Sequence, residues 1–319
     1  MFTSLLLVVL GLGLLTVAAD RVVVSAARLS RVWGLSAVLI GAVVLGVGTS
    51  LPEMLVSGLA AAAPRGLDLA VGNVIGSNIA NMAMVLGLSA LLAPMSGQLR
   101  IIRREGLLML GALVAFSALA IDGDLTRIEG LVLLVALVGA LALLVRWAKS
   151  DDSDDTIVGS ELDEMVGEYP PSVRFEVTVG FVSLLATLAG ARLLLTGAEG
   201  AGRELGISEA VIGLTVVAVG TSLPELATAL AAARRGENDL VLGNVLGSNL
   251  FNVLAVGGVS GLVGGGALIA DFGLPMLLMI GVSVLAGGMA ATSDELNRWE
   301  AGVLLASYVS LIAFGLPVS

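Results

Sequence analysis

The chain has no cysteine and no histidine. Without thiols there is no disulfide framework and no thiolate nucleophile. Without imidazole there is no His-based acid–base pair, and without either there is no structural zinc site. Charge is also scarce. Only 13% of the 319 residues are Asp, Glu, Lys or Arg, against about a quarter in a soluble domain, and Lys149 is the single lysine. What is plentiful is apolar: 57% hydrophobic residues, 42 glycines and a mean hydropathy of +1.03. This composition argues against a soluble enzyme and for an all-α polytopic membrane protein.

The net charge of −10 is concentrated in one place. Residues 150–172 hold Asp151, Asp152, Asp154, Asp155, Glu161, Asp163, Glu164 and Glu168 with no basic residue. The stretch reads as a solvated acidic linker. It is no EF-hand, because Ile157 stands where the loop requires glycine. Ten apolar runs approach the roughly 20 residues that cross about 30 Å of hydrocarbon. They are 4–27, 35–62, 69–93, 106–121, 128–147, 173–197, 207–233, 240–263, 272–291 and 301–317. No basic residue precedes the first run, which reads as a retained helix and not a cleaved signal peptide.

Orientation follows the basic residues. With the N-terminus outside, the cytoplasmic segments carry Arg21, Arg28, Arg31, Arg100, Arg103, Arg104, Arg146, Lys149, Arg174, Arg234, Arg235 and Arg298. Arg65, Arg127, Arg192 and Arg203 are left for the rest. Ten spans then put both termini outside the plasma (cell inner) membrane and the linker inside. The expected organisation is a five-helix unit over 1–149, the linker over 150–172 and a second five-helix unit over 173–319.

The chain repeats itself. Gly48-Thr49-Ser50-Leu51-Pro52-Glu53 recurs unchanged as Gly220-Thr221-Ser222-Leu223-Pro224-Glu225. Gly72-Asn73-Val74-Ile75-Gly76-Ser77-Asn78-Ile79-Ala80-Asn81 recurs as Gly243-Asn244-Val245-Leu246-Gly247-Ser248-Asn249-Leu250-Phe251-Asn252. Five spans per half is an odd number, so the second half enters from the opposite side and the repeats are inverted. Glu53 and Glu225 fall too deep in their runs to reach the near interface. An acid at that depth costs ~2.5–3.5 kcal/mol on insertion scales. Pro52 and Pro224 each remove a backbone donor, and with Gly46, Gly48 and Gly220 they predict a helix break at membrane depth. Such backbone is tolerated where it is packed in protein or lines a cavity.

Thr49 and Glu53 share a helix face, as do Thr221 and Glu225, Ser77 and Asn81, and Ser248 and Asn252. These side chains offer hydroxyl, amide and carboxylate oxygens, the hard donors that suit calcium or sodium. The bland reading of the glutamates is a structural pair bonded to nearby backbone, and of the serines and asparagines, interhelical hydrogen bonding. Gly72, Gly76, Gly243 and Gly247 read as close-packing positions. Asp68 and Asp239 read as helix caps, and Asp20 and Arg192, at equivalent positions, as local structural residues.

The duplicated segments resemble the two alpha repeats of the sodium/calcium exchangers, in the cation/calcium antiporter superfamily. The resemblance covers nearly the whole chain and is weakest in the linker. It implies a site built by the second, third, seventh and eighth spans, with the first and sixth as long sliding helices. It implies Glu53 and Glu225 as central calcium ligands. Thr49, Ser50, Thr221, Ser222, Ser77 and Ser248 would supply hydroxyl or carbonyl oxygens to calcium and sodium, flanked by Asn81 and Asn252. The potassium-dependent branch tends to carry aspartate where Asn252 stands, so the resemblance implies potassium-independent exchange. The bound ions are cargo, and no cofactor and no nucleic acid partner is expected; the surroundings are membrane lipid. A calcium/proton antiporter using the same glutamates is the alternative. A passive channel fits inverted repeats less well, and an intramembrane enzyme would need an aspartate pair or a Ser/Lys dyad that the spans lack.

Overall fold

The computed structural model describes residues 1–96, 99–151, 172–207, 218–293 and 295–313. The acidic linker expected over 150–172 lies almost wholly outside the described residues. The first half of the chain forms α1 (Phe2–Trp33), α2 (Ala37–Ala61), α3 (Gly66–Leu92), α4 (99–120) and α5 (Arg127–Asp151). The second half forms α6 (Val173–Glu204), α7 (Ala218–Thr221), α8 (Leu223–Arg234), α9 (Asn238–Gly264), α10 (Gly273–Ser293) and α11 (Arg298–Ala313). Seven helices among the described residues are long and apolar enough to cross a membrane: α1, α2, α3, α5, α6, α9 and α10. Of the other expected runs, α4 opens on Arg100, Arg103, Arg104 and Glu105. The run 207–233 is described only from residue 218, as α7 and α8, and 301–317 is described to residue 313, within α11.

Local chemistry sets the helix ends. α1 stops at Gly34 in the left-handed region (φ 61°), where the Leu35 N–H reaches back to Ser30 O at 2.9 Å. Ser36 and Ser172 cap α2 and α6 through their hydroxyls. α5 and α11 open on matching reciprocal caps. Thr126 accepts from Glu129 N (3.2 Å) while Glu129 accepts from Thr126 N (2.7 Å). Asn297 accepts from Glu300 N (3.1 Å) while Glu300 accepts from Asn297 N (3.0 Å).

α9 is buried along its hydrophobic length and α3 nearly so, whereas α1, α5 and α6 expose most of theirs. Exposed Leu5, Leu6, Val9 and Leu12 on α1, and Phe181 and Leu185 on α6, make an outer surface suited to hydrocarbon. α1 and α6 run antiparallel in close contact. A Cβ on Gly11 would lie 2.4 Å from Leu194 N, and one on Gly190 would lie 2.6 Å from Leu15 N. At one end, buried Glu176 accepts from Ser25 Oγ (3.0 Å), Arg28 Nη1 (2.5 Å) and Arg21 Nη2 (3.5 Å). At the other, Ser4 Oγ donates to Glu204 (2.9 Å), which also pairs with the N-terminal amine.

Asp20 is not confined to a local role. It takes both ends of the Arg235 guanidinium, at 2.8 and 2.7 Å, and so ties α1 to the turn after α8. Asp68 lies in the first turn of α3, but its Oδ1 accepts from Ile269 N at 2.9 Å, in the connection beyond β3 (Gly266–Ala267), instead of capping its own helix.

Three more two-residue strands complete the fold: β1 (Met95–Ser96), β2 (Asp124–Leu125) and β4 (Glu295–Leu296). β1 pairs antiparallel with β4, Met95 opposite Leu296, and β2 pairs antiparallel with β3, Leu125 opposite Gly266. By the 171-residue offset, β3 corresponds to β1 and β4 to β2, so each pairing is the image of the other. β1 and β4 therefore meet at one end of the bundle, β2 and β3 at the other. α4 runs from the first end to the second, and its counterpart α10 runs back.

Gly190→Val should lower the apparent melting temperature of the detergent-solubilised protein, since overpacking a tight contact costs about 1–3 kcal/mol. An unchanged melting temperature would show that α1 and α6 can separate freely there.

Candidate cation-binding site

Both copies of the Gly-Thr-Ser-Leu-Pro-Glu segment sit on irregular backbone, in two different ways. In the second half the helix is interrupted at Ser222 (φ −91°, ψ 9°), and Pro224 lies in the first turn of α8, where its missing N–H has no intrahelical role. In the first half the expected break at Pro52 does not occur, because α2 continues through the proline. The irregularity lies earlier, in a π-helical segment, Gly41–Gly46. That wider coil absorbs the disturbance, and Thr49 Oγ1 donates to the Leu45 carbonyl at 2.9 Å.

The segments carrying Asn81 and Asn252 also turn π-helical, over Asn81–Val85 and Asn252–Val256. These are repeat-equivalent positions, and each begins at the asparagine itself. Single π turns within α-helices are frequent at functional sites.

Glycine lets the second and eighth expected spans meet at backbone distance. A Cβ on Gly46 would lie 2.8 Å from Ser248 N, and one on Gly247 would lie 2.4 Å from Ala42 Cα. The close-packing expectation therefore holds at Gly243 and Gly247, where an added Cβ would come within 2.4 Å of a neighbour. At this contact Ser248 Oγ donates to the Gly46 carbonyl at 3.3 Å.

The two glutamates converge. Ser50 Oγ on α2 donates to Glu225 Oε1 on α8 at 3.1 Å, and the two carboxylates are near enough for their charges to interact. Both are buried, at 5% and 2% exposure, and neither has an Arg or Lys partner among the described residues. Thr49, Ser50, Ser77, Asn81, Ser222, Ser248 and Asn252 are buried with them. Thr221 is the exception, half-buried at the end of α7.

Several buried oxygens in this group lack a hydrogen-bond partner: Glu53 Oε2, Glu225 Oε2, Ser77 Oγ, Asn81 Oδ1 and Asn252 Oδ1. Buried polar atoms are satisfied in the great majority of cases. A cluster of unpaired acceptors around two acids, with no basic group, suits a cation chemically. All are hard oxygens, as calcium and sodium require.

Four further asparagines, outside the ligand set expected from sequence, organise the cluster. Asn244 Nδ2 donates to Glu225 O and Thr228 Oγ1, each at 3.1 Å, and Asn73 Nδ2 donates to Ser57 Oγ at 2.9 Å. Each clamps a glutamate-bearing helix to its neighbour. Asn249 Oδ1 accepts from Asn81 Nδ2 at 3.1 Å, joining α3 to α9. Asn78 Nδ2 donates to Val74 O at 2.6 Å within α3. Their signal was the repetition of Gly-Asn-x-x-Gly-Ser-Asn-x-x-Asn, in which every asparagine recurs.

The family model for the sodium/calcium exchanger protein matches residues 3–146 and 176–316. The chain belongs to the sodium/calcium exchanger family. It is a membrane antiporter and not an enzyme. It is 39% identical to the putative antiporter CaxA of Alkalimonas amylolytica, over 97% of both chains. It is 30% identical to the sodium/calcium exchanger MaX1 of Methanosarcina acetivorans, again over 97% of both. Its fold matches a solved structure of the sodium-calcium exchanger NCX_Mj, soaked with sodium and calcium, with a TM-score of 0.83 and 32% identity over 97% of each chain.

For this exchanger, Glu53→Gln and Glu225→Gln should each weaken calcium binding by at least about 100-fold, since losing one member of a buried charge set costs about 3–5 kcal/mol. Equilibrium ⁴⁵Ca binding to purified protein measures this. Near-normal binding by either variant would remove that glutamate from the site.

Proposed function

We propose that this antiporter exchanges sodium for calcium by alternating access, with Glu53 and Glu225 as the central ligands of one shared cation site. The observation that carries the reading is the pair of buried carboxylates, each with an unpartnered oxygen and, among the described residues, no basic neighbour. Thr49, Ser50, Thr221, Ser222, Ser77, Ser248, Asn81 and Asn252 complete the oxygen set. Thr49 donates its hydroxyl hydrogen within α2, which leaves the oxygen lone pairs as acceptors.

The proposed stoichiometry starts from the charge count. Among the described residues no cluster of three or more acidic groups is found, so two carboxylates balance one Ca²⁺. Roughly three Na⁺ on the same two acids would leave the site at +1. The exchange is therefore electrogenic. With Asn252 in place of an acid, it is also independent of potassium.

Two five-helix repeats of opposite insertion, residues 1–149 and 173–319, joined by the linker 150–172, supply the pseudo-symmetric frame. Support comes from the exchanged strand pairings, from antiparallel α1 and α6 and from the opposed directions of α4 and α10. The ten spans are read from the ten apolar runs, and their orientation, with both termini external at the cell inner membrane, from the arginine bias.

Sodium-loaded proteoliposomes should take up ⁴⁵Ca when diluted into sodium-free buffer, with or without potassium. Uptake driven by a pH gradient alone would instead assign proton coupling to the same glutamates. The current should reverse at the potential for roughly three sodium ions per calcium, and reversal at the electroneutral value would refute the stoichiometry. Asn252→Asp, which adds a third acid, should change the ion selectivity of uptake.

A further inference from the structure

Asn81 serves a cation with only one end of its side chain. An amide carries an acceptor oxygen and a donor NH₂, and a hard cation is bound by the oxygen. Asn81 Oδ1 is one of the buried oxygens without a hydrogen-bond partner, while its Nδ2 donates to Asn249 Oδ1 at 3.1 Å. Two asparagines can bond with either one as the donor, so something outside the pair must set the direction.

The other contact of Asn249 sets it. Asn249 is fully buried on α9, and its Nδ2 donates to Met109 Sδ on α4 at 3.5 Å. A thioether sulfur carries no hydrogen and can only accept. Met109 therefore draws the NH₂ end of Asn249 toward α4 and leaves the oxygen for α3. Asn81 must then turn its own NH₂ to that oxygen, and its Oδ1 is left free. Met109, itself buried at 3% exposure, is the fixed end of a three-member chain whose open end is an acceptor.

The repeat provides a comparison within the same molecule. Asn78 is the equivalent of Asn249, and by the same 171-residue offset Ile280 on α10 stands where Met109 stands on α4. Isoleucine has no acceptor. Asn78 Nδ2 turns instead to the Val74 carbonyl of its own helix, at 2.6 Å, and Asn78 Oδ1 has no partner, so it receives nothing from Asn252. The asparagines recur in both halves, and the bridge forms where the neighbouring helix offers a sulfur.

We propose that Met109 is a positioning residue for cation binding. By accepting from Asn249 it orients the Asn81 amide so that oxygen, and not NH₂, is presented to the ion. Met109 lies outside both repeated motifs and acts through Asn249 and Asn81, not on the ion itself. The role rests on the reading of Asn81 as part of the cation site.

Met109→Leu removes the acceptor and nearly conserves the volume, a swap that cores tolerate. Equilibrium ⁴⁵Ca binding to the purified full chain should weaken about threefold, within the net worth of one hydrogen bond. Met279→Leu, at another fully buried methionine on α10, should leave binding unchanged. A double-mutant cycle decides between orientation and packing. In an Asn81→Ala background Met109→Leu should cost no further affinity, because no amide is left to orient. The ¹³C-methyl resonance of Met109, identified by its loss in Met109→Leu, should move in Asn249→Leu, which reads the contact without any ion. Equal losses with and without Asn81, or an unmoved methyl resonance, would overturn the positioning role. So would unaltered affinity in Met109→Leu or Asn81→Ala while Glu53→Gln is weakened. Unaltered affinity in Glu53→Gln as well would refute the cation site on which the role rests.

Discussion

Two carboxylates share the interior of this protein with no cationic side chain beside them among the described residues. The contrast with Glu176 shows what that means physically. Glu176 is equally buried, and the chain surrounds it with Arg21, Arg28 and Ser25, which is how a buried charge is ordinarily satisfied. Glu225 accepts from the Ser50 hydroxyl, and each of the two glutamates keeps an oxygen unpartnered. In the proposed reading their compensation comes from a mobile ion. Much of the surrounding structure can be understood as the means of holding that unfavourable pair in place.

The means are of two kinds. Asparagines on α3 and α9 anchor the glutamate-bearing helices at both their backbone and hydroxyl groups. Glycines at Gly41, Gly46, Gly243 and Gly247 let helices meet without side chains between them, so that a carbonyl such as that of Gly46 lies next to a serine hydroxyl from the other half. The π-helical turns at Asn81 and Asn252 shift helix register where the amide oxygens are needed. Tight packing and irregular backbone work together here, because only a close-packed surround can tolerate a disturbed hydrogen-bond ladder at membrane depth.

The two halves are equivalent without being identical. Strand pairings, the reciprocal caps at Thr126 and Asn297 and the π-helical turns at Asn81 and Asn252 repeat in register across the chain. The Pro52 and Pro224 segments do not: α2 is continuous through its proline while the other copy is interrupted at Ser222. An antiporter of this family has to present one site to two sides of the membrane, and two halves that differ in backbone while sharing a sequence suit a single inequivalent state of such a cycle.

The residue content of the candidate site was proposed from the chain, since acids, hydroxyls and amides are costly in long apolar runs and here recur at matched positions in both halves; what was legible was their burial together. So were the helical class, the repeat and the close-packing glycines on α9. Other features depended on contacts between residues far apart in sequence. The bidentate Asp20–Arg235 pair, the Asp68 bond to Ile269 N, and the Asn81–Asn249 bridge each join groups more than 160 positions apart. The continuity of α2 through Pro52 was also decided there, because the cost of a lost backbone bond depends on what the neighbouring helix supplies. Sequence by itself determined which chemical groups are carried into the membrane, through the hydropathy and periodicity of single segments. Tertiary structure alone decided which of those groups meet and which oxygens are left without a donor, because satisfaction of a buried polar atom is a property of its neighbours and not of its own position in the chain.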